Sequence, residues 1–184
     1  MKVSETKIKG ILIIEPDIYK DNRGYFFESF NKNKYENIGI KEEFVQDNQS
    51  YSQKGTIRGL HFQIPPFEQS KLIRVIKGRI LDVAVDIRLN SPTYGKFFSI
   101  ELSGVNNKQL LIPAGFAHGF STLKNDTVVH YKCTNFYSKT HERGIIYNDK
   151  YLNIDWKVEK QIVSLKDLSL PQFCELKDYF IYGQ

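Results

Sequence analysis

Short runs of β-branched and aromatic residues, separated by turn-forming Gly, Pro, Asn and Asp, follow one another along most of this chain. Residues 11–14 stop at Pro16, and residues 25–30 follow the turn Asn22-Arg23-Gly24. Thr56-Ile57 and residues 60–63 follow Gly55. Residues 72–76 and 80–87 flank Lys77-Gly78-Arg79, which has the composition of a hairpin turn. After a loop at 90–95 come runs at 97–102, 109–112, 119–123 and 127–136, the last two parted by Lys124-Asn125-Asp126. Strands this short and this closely spaced argue for a sandwich or jelly roll rather than βαβ units.

Smaller features complete the reading. Residues 44–48 suit a short strand, and residues 31–38 a short helix with Tyr35 and Ile38 on one face. Asp82 and Asp86 alternate with apolar residues, as on a partly exposed strand. From Tyr147 the strand pattern fades. Trp156 and Ile162-Val163 are expected packing points, residues 164–167 a turn, and residues 172–177 a short helix. With no internal repeat and no linker, residues 1–184 are expected to form one domain with a less regular C-terminal extension.

The chain has 184 residues, 41% hydrophobic and 26% charged, an ordinary globular balance with enough length for a substantial core. Aromatics reach 14%, which suits pleated surfaces or a stacking pocket. The net charge of +5 is compatible with an anionic ligand. No basic block or basic helical stripe is present, which argues against nucleic acid as a partner. Cys133 and Cys174 belong to no Cys-x-x-Cys or Cys/His cluster, so reduced thiols in the cytoplasm are expected. The apolar run 11–14 is far too short to span a bilayer.

Two segments carry chemistry. Gly55, His61, Gln63, Glu68 and Gly78 follow the order of the first half-motif of a cupin barrel, and Pro113, Gly115 and His118 match the second. In the metal-binding form three imidazoles and a carboxylate hold a divalent ion. Here Gln63 replaces one imidazole, so no metal is expected. Either histidine alone reads first as a hydrogen-bonded core group; the two together point to a pocket. A second set comprises His61, Tyr131, Lys71, Arg58 and Asp167. Imidazole is the default base near neutral pH, a carboxylate fixes its tautomer, and a phenol can return a proton from the other face. An ammonium stabilises charge on oxygen, and a guanidinium can hold a phosphate. Taken singly, Tyr131 reads as a strand aromatic, Asp167 as a turn residue, and Lys71 and Arg58 as solvated charges. Nothing in the sequence alone shows that they meet.

Blocks at 21–28, 44–48, 58–63, 82–88, 91–95, 112–120, 131–135 and 154–156, in this order, resemble the dTDP-4-dehydrorhamnose 3,5-epimerase family over nearly the whole length. The resemblance implies a cupin jelly roll, a double-stranded β-helix with a few short helices. It also implies a homodimer with an exchanged N-terminal arm, and cofactor-free epimerisation at C3 and C5 of a dTDP-linked 4-keto-6-deoxy sugar. By the same resemblance His61 is similar to the general base, Asp167 to its partner, Tyr131 to the proton donor, and Lys71 to the group facing the enolate oxygen. Gln46, Asn48, Arg58 and His118 match nucleotide-sugar contacts, as do Tyr137, Glu142 and Lys166. Arg23 and Glu28 match contacts made to a neighbour's site. Ser70, the pair Pro65-Pro66 and Tyr147 depart from the usual pattern and bear on loop shape. The competing expectations are an epimerase acting at C3 only, a metal-dependent cupin enzyme, and a sugar-binding cupin without catalysis.

Overall fold

The architecture is that of a jelly roll in which one sheet is covered on its outer face and the other only in part. In the computed structural model, which describes residues 1–183, one sheet runs in the order β1 (Lys2–Glu5), β2 (Leu12–Glu15), β10 (Gln109–Ile112), β7 (Lys71–Lys77), β12 (Thr127–Cys133) and β5 (Gln46–Ser52). The facing sheet runs β13 (Glu142–Gly144), β6 (Thr56–Gln63), β11 (Phe116–Thr122), β8 (Arg79–Asp86) and β9 (Phe97–Ser103). β14 (Ile162–Val163) adds to β6 in parallel. β3 (Tyr19–Asp21) and β4 (Gly24–Phe26) form a separate exposed ribbon.

Residues 72–76 and 80–87 are strands, as expected, but they do not form a hairpin. β7 pairs with β10 and β12, whereas β8 pairs with β9 and β11. The turn at Gly78 therefore carries the chain from one sheet to the other. Gly78 has φ +85, and a Cβ there would lie 2.1 Å from the Thr127 hydroxyl. Glycine is required by both space and conformation. The expected strand at 25–30 also shrinks, ending at Phe26. The strand expected at 44–48 begins at Gln46 and continues to Ser52.

Packing falls into three layers. Between the sheets, Ile73, Val75, Val129, Ile80, Ala84 and Phe120 meet in a buried cluster. Part of the outer face of the first sheet is covered by helix α1 (Lys32–Glu36), capped by Asn31, whose Tyr35 packs with Leu72 and Leu111, while Tyr51 and Ile76 on the same face stay exposed. The outer face of the second sheet is closed by the C-terminal extension, through Tyr147, Leu152, Trp156 and Phe173. That last cover corrects the reading of β8. Its outward residues Leu81, Val83 and Val85 are buried under the extension, and Asp82 and Asp86 are fully buried on the inner face. A strand covered on both sides exposes neither set of alternating residues. The extension holds a short helix α2 (Leu165–Leu168), capped by the Ser164 side chain, where a turn was expected.

Candidate active site

One end of the space between the sheets stays open as a cleft of two lobes, of about 270 and 330 Å³. His61, Lys71, Tyr131 and Asn48 line both lobes. His61 projects from β6 in the second sheet, and Tyr131 and Lys71 from β12 and β7 in the first. The imidazole and the phenol thus enter one cavity from opposite walls. Lys71 reaches across and donates to the His61 carbonyl at 3.4 Å.

Local sequence explains how His61 is aimed. Gly59 has φ +124, and a Cβ there would sit 2.5 Å from the Gly119 Cα. The missing side chain lets β6 press against β11, where His61 and His118 become register partners. The Gly59 N–H then donates to Asp167 Oδ2 at 3.3 Å, while Asp167 Oδ1 lies 2.7 Å from His61 Nε2. Burial pushes the Asp167 carboxyl up, but hydrogen bonds from His61, Gly59 and Ser164 outweigh it and hold the group below its ordinary 3.8. An ionised carboxylate beside Nε2 selects the Nε2–H tautomer, so the Nδ1 lone pair is the free base.

The other groups are poised in charge. Burial depresses the pKa of Lys71 below 10.5, opposed by the nearby Cys133, Asp82 and Glu142. Burial raises the pKa of Tyr131 above 10.0, so the phenol keeps its proton at neutral pH. Arg58 is steered by Ser52 Oγ at 3.2 Å and the Tyr51 carbonyl at 3.3 Å, and lines the second lobe with His118. His118 is buried, its Nε2 2.8 Å from Asp82 Oδ1. At the mouth of the first lobe, Glu142 Oε2 accepts from the Tyr137 hydroxyl at 2.7 Å and from Lys166 Nζ at 2.6 Å. Gln46 lines the same lobe.

Two expected residues lie elsewhere within this chain. Arg23 sits on the exposed β3–β4 ribbon, paired with Asp21. Glu28 is exposed and bonded to Lys34 and Asn31. Phe62, Gln69 and Cys133 in the first lobe, and Gln49, Ser50 and Phe120 in the second, escaped the sequence reading of the site. Asp82 escaped it too, and bears on the cleft only through its bond to His118.

The donor set does not suit a metal. The Nε2 atoms of both cleft histidines are committed to carboxylates, and Gln63 spends its amide on backbone groups. Glu68, fourth member of the cupin half-motif, lines a different cavity with Arg88 and Phe180. Among the described residues, no cluster of three or more His, Cys, Asp or Glu side chains could hold an ion.

A family model described as dTDP-4-dehydrorhamnose 3,5-epimerase matches residues 5–175. The chain belongs to that family. It is 50% identical over 182 residues to the dTDP-4-dehydrorhamnose 3,5-epimerase of Shigella flexneri, covering 98% of this chain and 100% of that one. A dTDP-6-deoxy-D-glucose-3,5-epimerase of Legionella pneumophila, solved with dTDP-4-keto-L-rhamnose, superposes with a TM-score of 0.95 at 44% identity, over 100% of this chain and 99% of that one. The Bacillus anthracis enzyme with TDP and pyrophosphate bound gives a TM-score of 0.91 at 49% identity, over 94% and 99%.

Proposed function

We propose that this protein is a dTDP-4-dehydrorhamnose 3,5-epimerase. It converts dTDP-4-dehydro-6-deoxy-D-glucose to dTDP-4-dehydro-L-rhamnose through enolates. The observation that carries the reading is the entry of His61 and Tyr131 into one cavity from opposite sheets, with Lys71 lining the same space.

A C4 ketone acidifies the hydrogens on C3 and C5. His61 Nδ1 removes one of them, and the electron pair moves onto the C4 oxygen. Lys71 stabilises that negative charge in a largely buried site. The Tyr131 hydroxyl delivers its proton to the opposite face, the C=O bond re-forms, and the carbon is inverted. Proton exchange with solvent returns His61 and Tyr131 to their starting states before the second centre reacts. A positioned acid or base contributes roughly 10²–10⁴-fold; the rest comes from orientation and charge stabilisation. Arg58, His118, Asn48 and Gln46, with Tyr137, Glu142 and Lys166 at the mouth, are proposed to hold the nucleotide sugar, whose binding energy serves orientation.

The test is turnover of the 4-keto nucleotide sugar in heavy water, with the product read by NMR. Deuterium at both C3 and C5 is expected. Deuterium at C3 alone would make the protein a mono-epimerase, and no turnover would leave a sugar-binding cupin.

The proposed working unit is a homodimer in which the ribbon of one copy brings Arg23 and Glu28 to the cleft of the other. The exposed Tyr19, Tyr25 and Phe26 on that ribbon support it. Mixing Arg23→Ala and His61→Ala chains should regain activity, because one mixed site then holds both native residues. A mixture as inactive as its components would place Arg23 outside the partner's site. Free Cys133 and Cys174 fit a reducing compartment, and the proposed location is the cytoplasm. Among the described residues, no helix is long and apolar enough to cross a membrane.

A further inference from the structure

Gln63 stands where the metal-binding cupin motif has a histidine, and all three hydrogen bonds of its amide go to backbone groups. The residue is buried and lines the first lobe. Its Oε1 accepts from the Ser138 N–H at 2.7 Å. Its Nε2 donates to the carbonyls of Phe67 at 2.6 Å and Phe136 at 3.1 Å. From the opposite sheet, Gln46 Oε1 accepts from the Tyr137 N–H at 2.9 Å. Two cavity-lining amides therefore hold the backbone of three consecutive residues, Phe136, Tyr137 and Ser138.

Two further bonds tie the same loops together. Gln69 Nε2 donates to the Asn135 carbonyl at 2.7 Å, and Asn135 Nδ2 donates to the Pro66 carbonyl at 3.0 Å. Gln63 is the inner and buried member of this clasp. Tyr137 lies at its outer end, 55% exposed, with its hydroxyl on Glu142. An exposed loop aromatic has rotamer and backbone freedom that ligand binding must otherwise remove. A buried amide left unsatisfied is costly, so the loop is held as long as Gln63 stays buried.

We infer that Gln63 is a positioning residue for ligand binding: it clasps the loops at 64–69 and 134–138 so that Tyr137 stands as a fixed wall of the cleft mouth. The position given up by a metal ligand is thereby used for preorganisation. Gln63 itself transfers no proton. This inference rests on the assignment of the cleft to a nucleotide sugar.

Gln63→Met keeps the length of the side chain and removes all three bonds. The expected result is a KM for the 4-keto nucleotide sugar raised about tenfold or more, with kcat changed by less than about threefold. Deuterium uptake per turnover should be unchanged. Calorimetry with dTDP should show the same weakening without reference to turnover. Gln63→Glu keeps the acceptor for Ser138 but sets an oxygen against the Phe67 and Phe136 carbonyls, so KM should rise at least as far as with Gln63→Met; Gln63→Leu carries the same comparison if the Met variant does not fold. In a Tyr137→Ala background the effect of Gln63→Met on KM should vanish. An equal rise in both backgrounds, or a fall in kcat at unchanged KM and unchanged dTDP affinity, would overturn the inference. A wild-type protein that binds dTDP but turns nothing over would instead count against the proposed reaction.

Discussion

His61 and His118 are register partners on adjacent strands, and each points Nε2 at a carboxylate, at 2.7 and 2.8 Å. Their surroundings separate them. The His61 side chain is 28% exposed to the cleft and that of His118 only 7%. Asp167 arrives from the C-terminal extension and takes hydrogen bonds on both oxygens. Asp82 belongs to the sheet itself, and its second oxygen is buried without a partner. The same pair of side chains can therefore be a proton-transfer device or a fixed internal dipole. Access of the free ring nitrogen to substrate decides which.

Substitutions can break that comparison. The largest effect is expected from His61→Ala, which should abolish both inversion and solvent exchange. Tyr131→Phe should still exchange substrate hydrogen with heavy water while inverting poorly, since only the return of the proton from the far face is lost. Full turnover by the His61 variant would refute its assignment. Asp167→Asn comes next. An amide can present its NH₂ to Nε2, which favours the tautomer with the proton on Nδ1, and kcat should fall about 10²-fold or more. Asp82→Asn should cost about tenfold at most, chiefly in KM, because on the proposed reading His118 orients and does not abstract. If it slows solvent exchange as much as Asp167→Asn, the roles of the two pairs have been inverted.

A pH profile sharpens the same contrast from the side of Lys71. Burial lowers its pKa, so the ammonium is fully present at low pH and is lost, with the enolate stabilisation, at a pH below the usual 10.5. The alkaline fall in kcat should accordingly lie below that value, and Lys71→Arg, if active, should move it upward. The smallest effect concerns stability. Asp167 has a depressed pKa, so its contribution is complete above its unfolded value near 4 and is lost as pH falls through the lower folded value. Thermal unfolding across the acid range should show that slope, and Asp167→Asn should flatten it.

The strands of the jelly roll were legible because period-2 runs and Gly turns are local. Partnership was not. Lys77-Gly78-Arg79 has hairpin composition, but a tight turn does not say whether the next strand pairs with the last one or crosses to the other sheet. The alternation around Asp82 presumed water on one side of β8, and only the extension, some seventy residues later, removes it. In the site, His61 and His118 could be paired from motif spacing. The approach of Asp167 to His61 could not, because it depends on how α2 docks beside β6, and nothing in that short capped turn of helix encodes its destination. Arg23 and Glu28, matched to a neighbour's site, lie away from the cleft of their own copy.

The proposed base, His61, and its partner Asp167 are separated by 106 positions. A ribosome has released both walls of the cleft and all of its cations before the residue that sets the imidazole's tautomer emerges. While α2 is undocked, the chain holds both walls of the cleft around an imidazole that no carboxylate aims, so on the proposed reading full activity waits for a contact made between segments far apart in the sequence.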